Sequence, residues 1–215
     1  MPSNRILITG ATGGLGKYLV SHFIKQNHKL IITSKSVNSL IELRNKFSND
    51  NNDIQHYKCD LSDLSEVMAL SDYCINNNVN VLINNAGIIC PSKSLIKYSI
   101  DEINLMLAVN LNAPIILTRL LASNLTDIIN INSIVGMEHK ISRSIYSASK
   151  WGLRGFSESF KKEVPDLNIL DVYPSNIRTW PGRENAMDVE KVVSDIYNSY
   201  IKKDSTLILD GRAKK

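Results

Sequence analysis

Short apolar runs alternate with longer amphipathic segments along the whole chain. Runs such as "RILI" at 5–8 and "KLIIT" at 29–33 have the length and composition of buried strands. Segments such as 64–75 repeat apolar residues at helical spacing. The seven predicted strands are 5–8, 29–33, 54–59, 79–84, 127–132, 168–173 and 206–210. This order predicts an α/β fold, a single-domain Rossmann-like doubly wound parallel sheet of about seven strands with helices on both faces.

The predicted helices lie between these strands. A long helix at 99–123 opens with Ser99 and Glu102 in the spacing of a capping box, and a helix at 146–164 ends before Pro165. The other helices are predicted at 15–28, 39–47, 64–75 and 188–202. Because the sequence contains no evident linker, repeat or low-complexity segment, we expect residues 1–215 to form one domain.

Length and hydrophobicity narrow the class of protein. The 215 residues, 43% of them hydrophobic, suffice for one domain with a sizeable core. The sequence has no apolar run of 18 or more residues, which argues against a membrane span. The first predicted strand follows the N-terminus almost directly, leaving no room for a signal peptide. We therefore expect a cytoplasmic protein.

The cysteines and the charge exclude two further classes. Cys59, Cys74 and Cys90 form no C-x-x-C pair, which favours reduced thiols over a disulfide or zinc framework, and no metal site is expected. The net charge is only +4. The basic C-terminus has no interleaved aromatic residues, so we interpret it as a solvated tail and expect no nucleic-acid partner.

The segment "TGATGGLG", which follows the first predicted strand, is rich in glycine. Its glycines can be counted as Gly10, Gly14 and Gly16 or as Gly10, Gly13 and Gly16. Both spacings occur in dinucleotide-binding loops. A strand, a glycine turn and a helix in succession bring free N–H groups and a positive dipole end toward a phosphate. The segment therefore predicts a nucleotide site, with an ordinary tight turn as the alternative.

Polar and small residues follow the later strands, where ligands of such sheets bind. "NNAG" ends the fourth predicted strand, and Ser133 ends the fifth. Tyr146 and Lys150 are separated by four positions and so share one helix face. A lone Y-x-x-x-K is common by chance. Here it begins a helix thirteen positions after Ser133, which makes it a candidate reaction centre.

Taken together, these motifs resemble the short-chain dehydrogenases/reductases over residues 5–211. The resemblance rests on the order of "TGATGGLG", Asp60–Leu61, "NNAG", "VNLNAP" around Asn110, "INSIVG", "YSASK" and "YPSNIRT". It implies the shorter branch of the family, which uses the T-G-x-x-x-G-x-G spacing. On that basis Gly13 is a coincidental extra glycine.

The resemblance also implies roles for individual residues. Tyr146 would be the general acid and base, with Lys150 lowering its pKa and binding the nicotinamide ribose. Ser133 would bind the substrate oxygen, and Asn110 would support a proton relay. The cofactor-binding residues implied are Gly10, Thr12, Gly14, Leu15, Gly16, Ser34, Lys35, Asp60, Leu61, Asn85, Ala86, Gly87, Tyr146, Lys150, Pro174, Ile177 and Thr179.

The cofactor's adenosine end would be recognised after the second strand. A carboxylate there would favour NAD(H), because it repels the 2′-phosphate of NADP(H). The chain has Ser34 and Lys35 instead, so we expect NADP(H) over NAD(H). One departure weakens this expectation, since many NADP-using relatives carry a basic residue in the glycine loop where this chain has Gly13.

The expected function is an NADP(H)-dependent oxidoreductase that acts on a carbonyl/alcohol pair. The alternatives are a catalytically silent dinucleotide-binding sensor or scaffold and a sugar-nucleotide-modifying enzyme. The substrate is expected to be a small-molecule or carrier-borne carbonyl compound of unspecified class. The resemblance implies a lid over the substrate, for which the segment 180–187 is short, and this predicts an open active site with Trp180 and Arg183 as contacts. The alternative is that Trp180 packs on the cofactor or on the neighbouring helix.

A homodimer or homotetramer is also expected. The helices 99–123 and 146–164 resemble those that pair across the family's two-fold interfaces. Their apolar side chains would supply the contact surface: Leu105, Leu117, Leu120, Leu121, Phe156 and Phe160.

Overall fold

A parallel sheet of seven strands forms the centre of the molecule. The computed structural model describes residues 3–48, 52–89, 92–179 and 186–212. The strands, in chain order, are β1 (Arg5–Thr9), β2 (Lys29–Ser34), β3 (Ile54–Lys58), β4 (Val81–Asn84), β5 (Asp127–Ile131), β6 (Asn168–Pro174), β7 (Ile177–Arg178), β8 (Met187–Asp188) and β9 (Thr206–Leu209). The sheet has the order β3-β2-β1-β4-β5-β6-β9, which confirms the predicted fold class.

Helices cover both faces of this sheet. They are α1 (Gly14–Lys25), α2 (Val37–Phe47), α3 (Leu64–Asn76), α4 (Ile100–Leu107), α5 (Ala113–Leu121), α6 (Ser144–Glu163) and α7 (Val189–Lys202). Alternation along β1 sends Ile6 and Ile8 into a core shared with α1, α2 and α7. Leu7, between them, points into a second core shared with α3 and α5.

The long helix predicted at 99–123 is interrupted. α4 and α5 are joined by a π-helical segment, Ala108–Asn112, with Asn110 fully buried at its centre. Single π turns within α-helices are often found at functional sites, since the extra residue redirects a side chain. The capping box predicted at Ser99 and Glu102 is present.

The apolar character of this stretch is explained by the core. By length and composition alone, Ile100–Leu121 could cross a membrane. Its residues Met106, Leu117 and Leu121 are completely buried within the chain, as in a core helix. The expectation that Leu117 and Leu121 form a subunit interface is therefore wrong, because both lie inside the monomer. Leu105, by contrast, remains 41% exposed.

A chain of buried polar contacts ties α6 to the middle of the sheet. The Asn84 amide donates to Asn130 at 2.9 Å, and the Asn130 amide donates to Asp171 at 3.0 Å. From α6, Ser157 and Lys161 donate to the other Asp171 carboxylate oxygen, each at 2.7 Å. Asp171 is completely buried, so these partners replace water as the groups that stabilise its carboxylate. The contacts anchor the helix that carries Tyr146 and Lys150.

Two short strands and two cysteines complete the description. The parallel pair β7 and β8, absent from the sequence prediction, joins the segments on either side of 179–186. Cys59 and Cys74 are free and buried, while Cys90 lies outside the described residues.

Candidate active site

The glycine loop between β1 and α1 is shaped by close contacts. Gly10 has φ of +61°, and a Cβ added there would lie 2.7 Å from the Cα of Ala86. A Cβ on Gly14 would lie 2.5 Å from the Cβ of Thr179, and one on Gly16 would overlap the Gly10 carbonyl oxygen. A Cβ on Gly13 would meet only that same oxygen, at 3.2 Å. Sterics therefore require Gly10, Gly14 and Gly16 and are much more permissive at Gly13.

The loop opens the N-terminus of α1 toward the cleft. Gly13 is the N-cap residue and has no side chain with which to satisfy the first N–H groups of the helix. Such groups suit a phosphate. These residues therefore fit a dinucleotide.

The "NNAG" motif supports this loop from the next strand. The Asn85 side-chain amide donates to the carbonyl oxygens of Thr9, at 2.8 Å, and Gly10, at 3.1 Å. The Thr9 hydroxyl accepts hydrogen bonds from the backbone N–H groups of Asn85 and Ala86. The motif thus fixes the conformation of the loop as well as contributing small residues to the cleft.

One cleft of about 980 Å³ gathers the predicted residues. It extends from the glycine loop, past the ends of β2 and β3, to Ser133, Tyr146 and Lys150. Every residue predicted to bind the cofactor lines it: Gly10, Thr12, Gly14, Leu15, Gly16, Ser34, Lys35, Asp60, Leu61, Asn85, Ala86, Gly87, Tyr146, Lys150, Pro174, Ile177 and Thr179.

Asn110 lies behind the cleft wall rather than in it. Its side-chain oxygen accepts from the Ile88 N–H at 2.7 Å, and its amide donates to the Ile88 carbonyl at 2.9 Å. The amide also approaches the Ser149 hydroxyl at 3.3 Å. The π segment thus directs Asn110 into a clamp on the backbone that follows "NNAG".

Ser133, Tyr146 and Lys150 converge at the other end of the cleft. Tyr146 is 7% exposed, and burial raises its pKa against the smaller opposing effects of a hydrogen bond with Ser133 and the charge of Arg143. Lys150 donates from Nζ to the Ile131 carbonyl at 2.9 Å, and burial lowers its pKa to about 8. Nζ lies 6.0 Å from the centre of the Tyr146 ring.

These pKa directions describe the candidate reaction centre of the chain alone. That Lys150 lowers the pKa of Tyr146 stays a prediction. In the chain by itself, the desolvation of the phenol dominates and the lysine is bonded to a carbonyl oxygen instead. The Tyr146 phenol is therefore protonated at neutral pH.

An ion pair lies at the end of the cleft beside β2 and β3, where the adenosine of a cofactor is expected. Lys35 Nζ lies 2.6 Å from the Asp60 carboxylate. The hydrogen bond from Lys35, with a second from Ser62, lowers the pKa of Asp60 to about 2. Two residues predicted separately as cofactor contacts thus bind each other across the ends of β2 and β3.

Comparison with known proteins agrees with this geometry. The sequence profile of the short chain dehydrogenases matches residues 4–187. The chain belongs to the short-chain dehydrogenase family. Members interconvert alcohols and carbonyl compounds with a nicotinamide cofactor, and the chain is an oxidoreductase of this class.

Individual relatives of this dehydrogenase cover most of its length. It is 29% identical to the NADP-dependent 3-hydroxy acid dehydrogenase of Schizosaccharomyces pombe, over 81% of this chain and 71% of the relative. It is 30% identical to carbonyl reductase family member 4 of Xenopus laevis, over 80% of this chain and 75% of the relative. An alcohol dehydrogenase from the archaeon Thermococcus sibiricus, complexed with 5-hydroxy-NADP, has the same fold with a TM-score of 0.90 at 20% identity, covering 100% of this chain and 99% of the other.

The dehydrogenase cleft also contains charged residues that the sequence reasoning missed. Lys140, Arg143 and Arg212 line it together with the predicted residues. Arg143 could have been found, because it lies three positions before Tyr146 at the start of the same helix. Arg212 had been assigned to a solvated tail. Instead, it forms ion pairs with Glu138 at 2.6 Å and Asp210 at 2.7 Å.

Most of the segment expected to leave the active site open lies outside the described residues. Trp180 and Arg183 lie outside the described residues. The flanking segments are joined, since the Met187 N–H donates to the Asn176 carbonyl at 2.9 Å and Arg178 donates to the Ala186 carbonyl at 3.3 Å.

Proposed function

We propose that this dehydrogenase reduces a carbonyl compound to an alcohol with NADPH and that Tyr146 donates the proton. The observation that carries the proposal is the single cleft that joins the glycine loop to Ser133, Tyr146 and Lys150. One end fits a dinucleotide and the other carries the acid. The names of the two relatives given above, a 3-hydroxy acid dehydrogenase and a carbonyl reductase, support the same reaction class.

Each residue of the reaction centre has a distinct part in this proposal. The bound nicotinamide supplies the hydride. Ser133 donates a hydrogen bond to the carbonyl oxygen, and Tyr146 gives its proton to the developing alkoxide. Lys150, with its pKa of about 8, is mostly protonated at neutral pH and offsets the charge left on the phenolate. Asn110 keeps the backbone at Ile88 in place.

NADPH is proposed as the preferred cofactor because of the residues after β2. Ser34 and Lys35 line the cleft where a carboxylate would repel a 2′-phosphate. The nearby carboxylate, Asp60, is already paired with Lys35. We expect fluorescence titration to give a lower Kd for NADPH than for NADH, and equal affinities would contradict the assignment.

Replacement of Tyr146 by phenylalanine tests the reaction. Tyr146→Phe should lower kcat by ~10²–10⁴-fold, since positioned acids contribute that much, while NADPH still binds. Tyr73→Phe is the matched control, because the Tyr73 hydroxyl binds Gln55 and does not line the cleft. A Tyr146→Phe variant that retains more than about a tenth of the activity would exclude Tyr146 as the acid. Tight NADPH binding with no turnover of any carbonyl would instead indicate a sensor or scaffold.

We also propose that the dehydrogenase forms a homodimer or homotetramer through α4 to α6. Leu105 on α4 and Trp151 on α6 are 41% and 37% exposed, which leaves apolar area outside the core. Light scattering at micromolar concentration should report two or four subunits. A monomer would contradict the proposal.

A further inference from the structure

The charged residues of the cleft are unevenly distributed. At the adenosine end, Lys35 is matched by Asp60. Among the described residues that line the other end, around Tyr146, the charged side chains are Lys140, Arg143, Lys150 and Arg212, and all are cationic. An excess of one sign in a cleft raises the local concentration of ligands of the opposite sign. This end therefore suits a negatively charged ligand.

Lys140 and Arg143 belong to the segment between Ser133 and Tyr146. Arg143 is the half-buried N-cap residue of α6, one turn before Tyr146, whereas Lys140 is exposed at the rim. The backbone of this segment is held from outside by the Lys93 N–H, which donates to the Ser142 carbonyl at 3.3 Å. The Arg143 charge also acts on the Tyr146 phenol, lowering its pKa against the larger effect of burial. The cation is thus near the proposed proton donor.

Arg212 has a structural part, because its ion pairs hold it against the wall of the cleft. Its guanidinium donates to Glu138 through both Nη atoms, at 2.8 and 2.6 Å, and to Asp210 at 2.7 Å. Gly211 N–H binds the Ser175 hydroxyl at 3.0 Å. The segment after β9 is thereby fastened to the start of the segment that carries Lys140 and Arg143. Arg212 supports the wall of the cleft. Lys140 and Arg143, which line the cleft on the segment that leads to Tyr146, are the candidate ligand contacts.

We propose that the substrate is an anionic carbonyl compound whose carboxylate or phosphate is bound by Lys140 and Arg143 beside Tyr146. This inference rests on the proposed function and adds the substrate class to it. Arginine and lysine form strong charge-assisted hydrogen bonds with both groups. The anion would fix the position of the carbonyl group relative to the Tyr146 hydroxyl.

Paired substrates that differ in charge test the inference. Acetoacetate is compared with its methyl ester, and dihydroxyacetone phosphate with dihydroxyacetone, by NADPH consumption. We expect the wild-type enzyme to have a kcat/KM about tenfold or more higher for the anionic member of one pair, and the pair identifies the carboxylate or the phosphate. Equal or better use of both neutral members would overturn the inference while leaving the proposed reaction intact.

Variants locate the effect. In Arg143→Gln and Lys140→Gln the ratio of the anionic to the neutral kcat/KM should fall, mainly through KM, and in the double variant it should approach one. Lys162→Gln is the matched control, since Lys162 is exposed near the far end of α6 and does not line the cleft. An unchanged ratio in the double variant would refute the assigned contacts.

A binding measurement separates this inference from the reaction itself. In Tyr146→Phe loaded with NADPH, quenching of the cofactor fluorescence reports substrate binding without turnover. Tighter binding of the anionic member supports the inference even if no carbonyl is reduced by the wild type, an outcome that would refute only the proposed function. Equal binding of both members of each pair contradicts the inference.

Discussion

Alanine at Gly14 should destabilise the protein, whereas alanine at the adjacent Gly13 should hardly change its stability. At Gly14 the new Cβ would lie 2.5 Å from the Cβ of Thr179, at least about 1 Å inside normal carbon contact. Overpacking of this kind costs ~1–3 kcal/mol, while the loss of glycine's freedom in the unfolded chain returns ~0.4–1 kcal/mol. We expect Gly14→Ala to lower the free energy of unfolding by about 1–2 kcal/mol. At Gly13, where φ is −73°, the loss of unfolded-chain freedom offsets the poorer N-cap and the 3.2 Å contact with the Gly10 carbonyl oxygen, and we expect a change of less than about 0.5 kcal/mol.

Thermal unfolding and NADPH titration measure both consequences. For a chain of this size, Gly14→Ala should lower Tm by about 2–8 °C and Gly13→Ala should leave it within about 2 °C. NADPH affinity should fall by roughly tenfold only in Gly14→Ala, because Thr179 lines the cleft and must move. Thr179→Gly in the Gly14→Ala background removes the clashing Cβ and should relieve the loss of Tm and of NADPH affinity. If both alanine variants behave alike, the distinction between the two glycine spacings has no steric basis here.

Three further predictions concern other parts of the molecule. Lys161→Met should lower the free energy of unfolding by ~3–5 kcal/mol, because it leaves the buried Asp171 charge without its cation. The control is Lys191→Met at an exposed ion pair, which should change the free energy of unfolding by less than ~1 kcal/mol in the same urea titrations. Burial lowers the pKa of His28 from 6.5, so the folded state favours the neutral imidazole and stability should be lost as the pH falls below about 6.5. His28→Asn should flatten this pH dependence of stability, and an unchanged profile in the variant would contradict the prediction. Lys35→Ala should raise the Kd for NADPH but not for NADH, and a parallel change in both would count against a 2′-phosphate contact.

The sequence predicted most of the sheet because its signals are local. Most of the strands are short runs of mainly apolar residues, and all seven were predicted with boundaries that differ by at most two residues from the observed ones. The glycine loop was equally predictable from its local spacing, although the steric requirements at Gly10 and Gly14 come from Ala86 and Thr179 in other parts of the chain. The π segment around Asn110 was not predicted, because the apolar spacing of 99–123 is that of a continuous helix. Its cause is tertiary, a polar clamp on Ile88 from a different part of the chain.

The ion pairs of the cleft were beyond the sequence for the same reason. Lys35 and Asp60 are separated by 25 positions and meet only because β2 and β3 are adjacent in the sheet. Arg212 was grouped with a basic tail, since nothing in the local sequence indicates that Glu138 is its partner. The composition gives only the number of charged residues, whereas the fold determines which of them form ion pairs.

In the proposed reaction, burial keeps Tyr146 protonated until the substrate is bound. It raises the pKa of the phenol and lowers the pKa of the amine, so both effects oppose charge at the reaction centre. When the tyrosine gives up its proton, the new phenolate is an opposite charge near the ammonium group and must raise the pKa of Lys150. The two ionisations therefore support each other, and Lys150, with its pKa of about 8, already carries most of its charge at neutral pH. Such a pair remains neutral at the tyrosine until a substrate oxygen accepts the proton, which requires the carbonyl group to be held in position first.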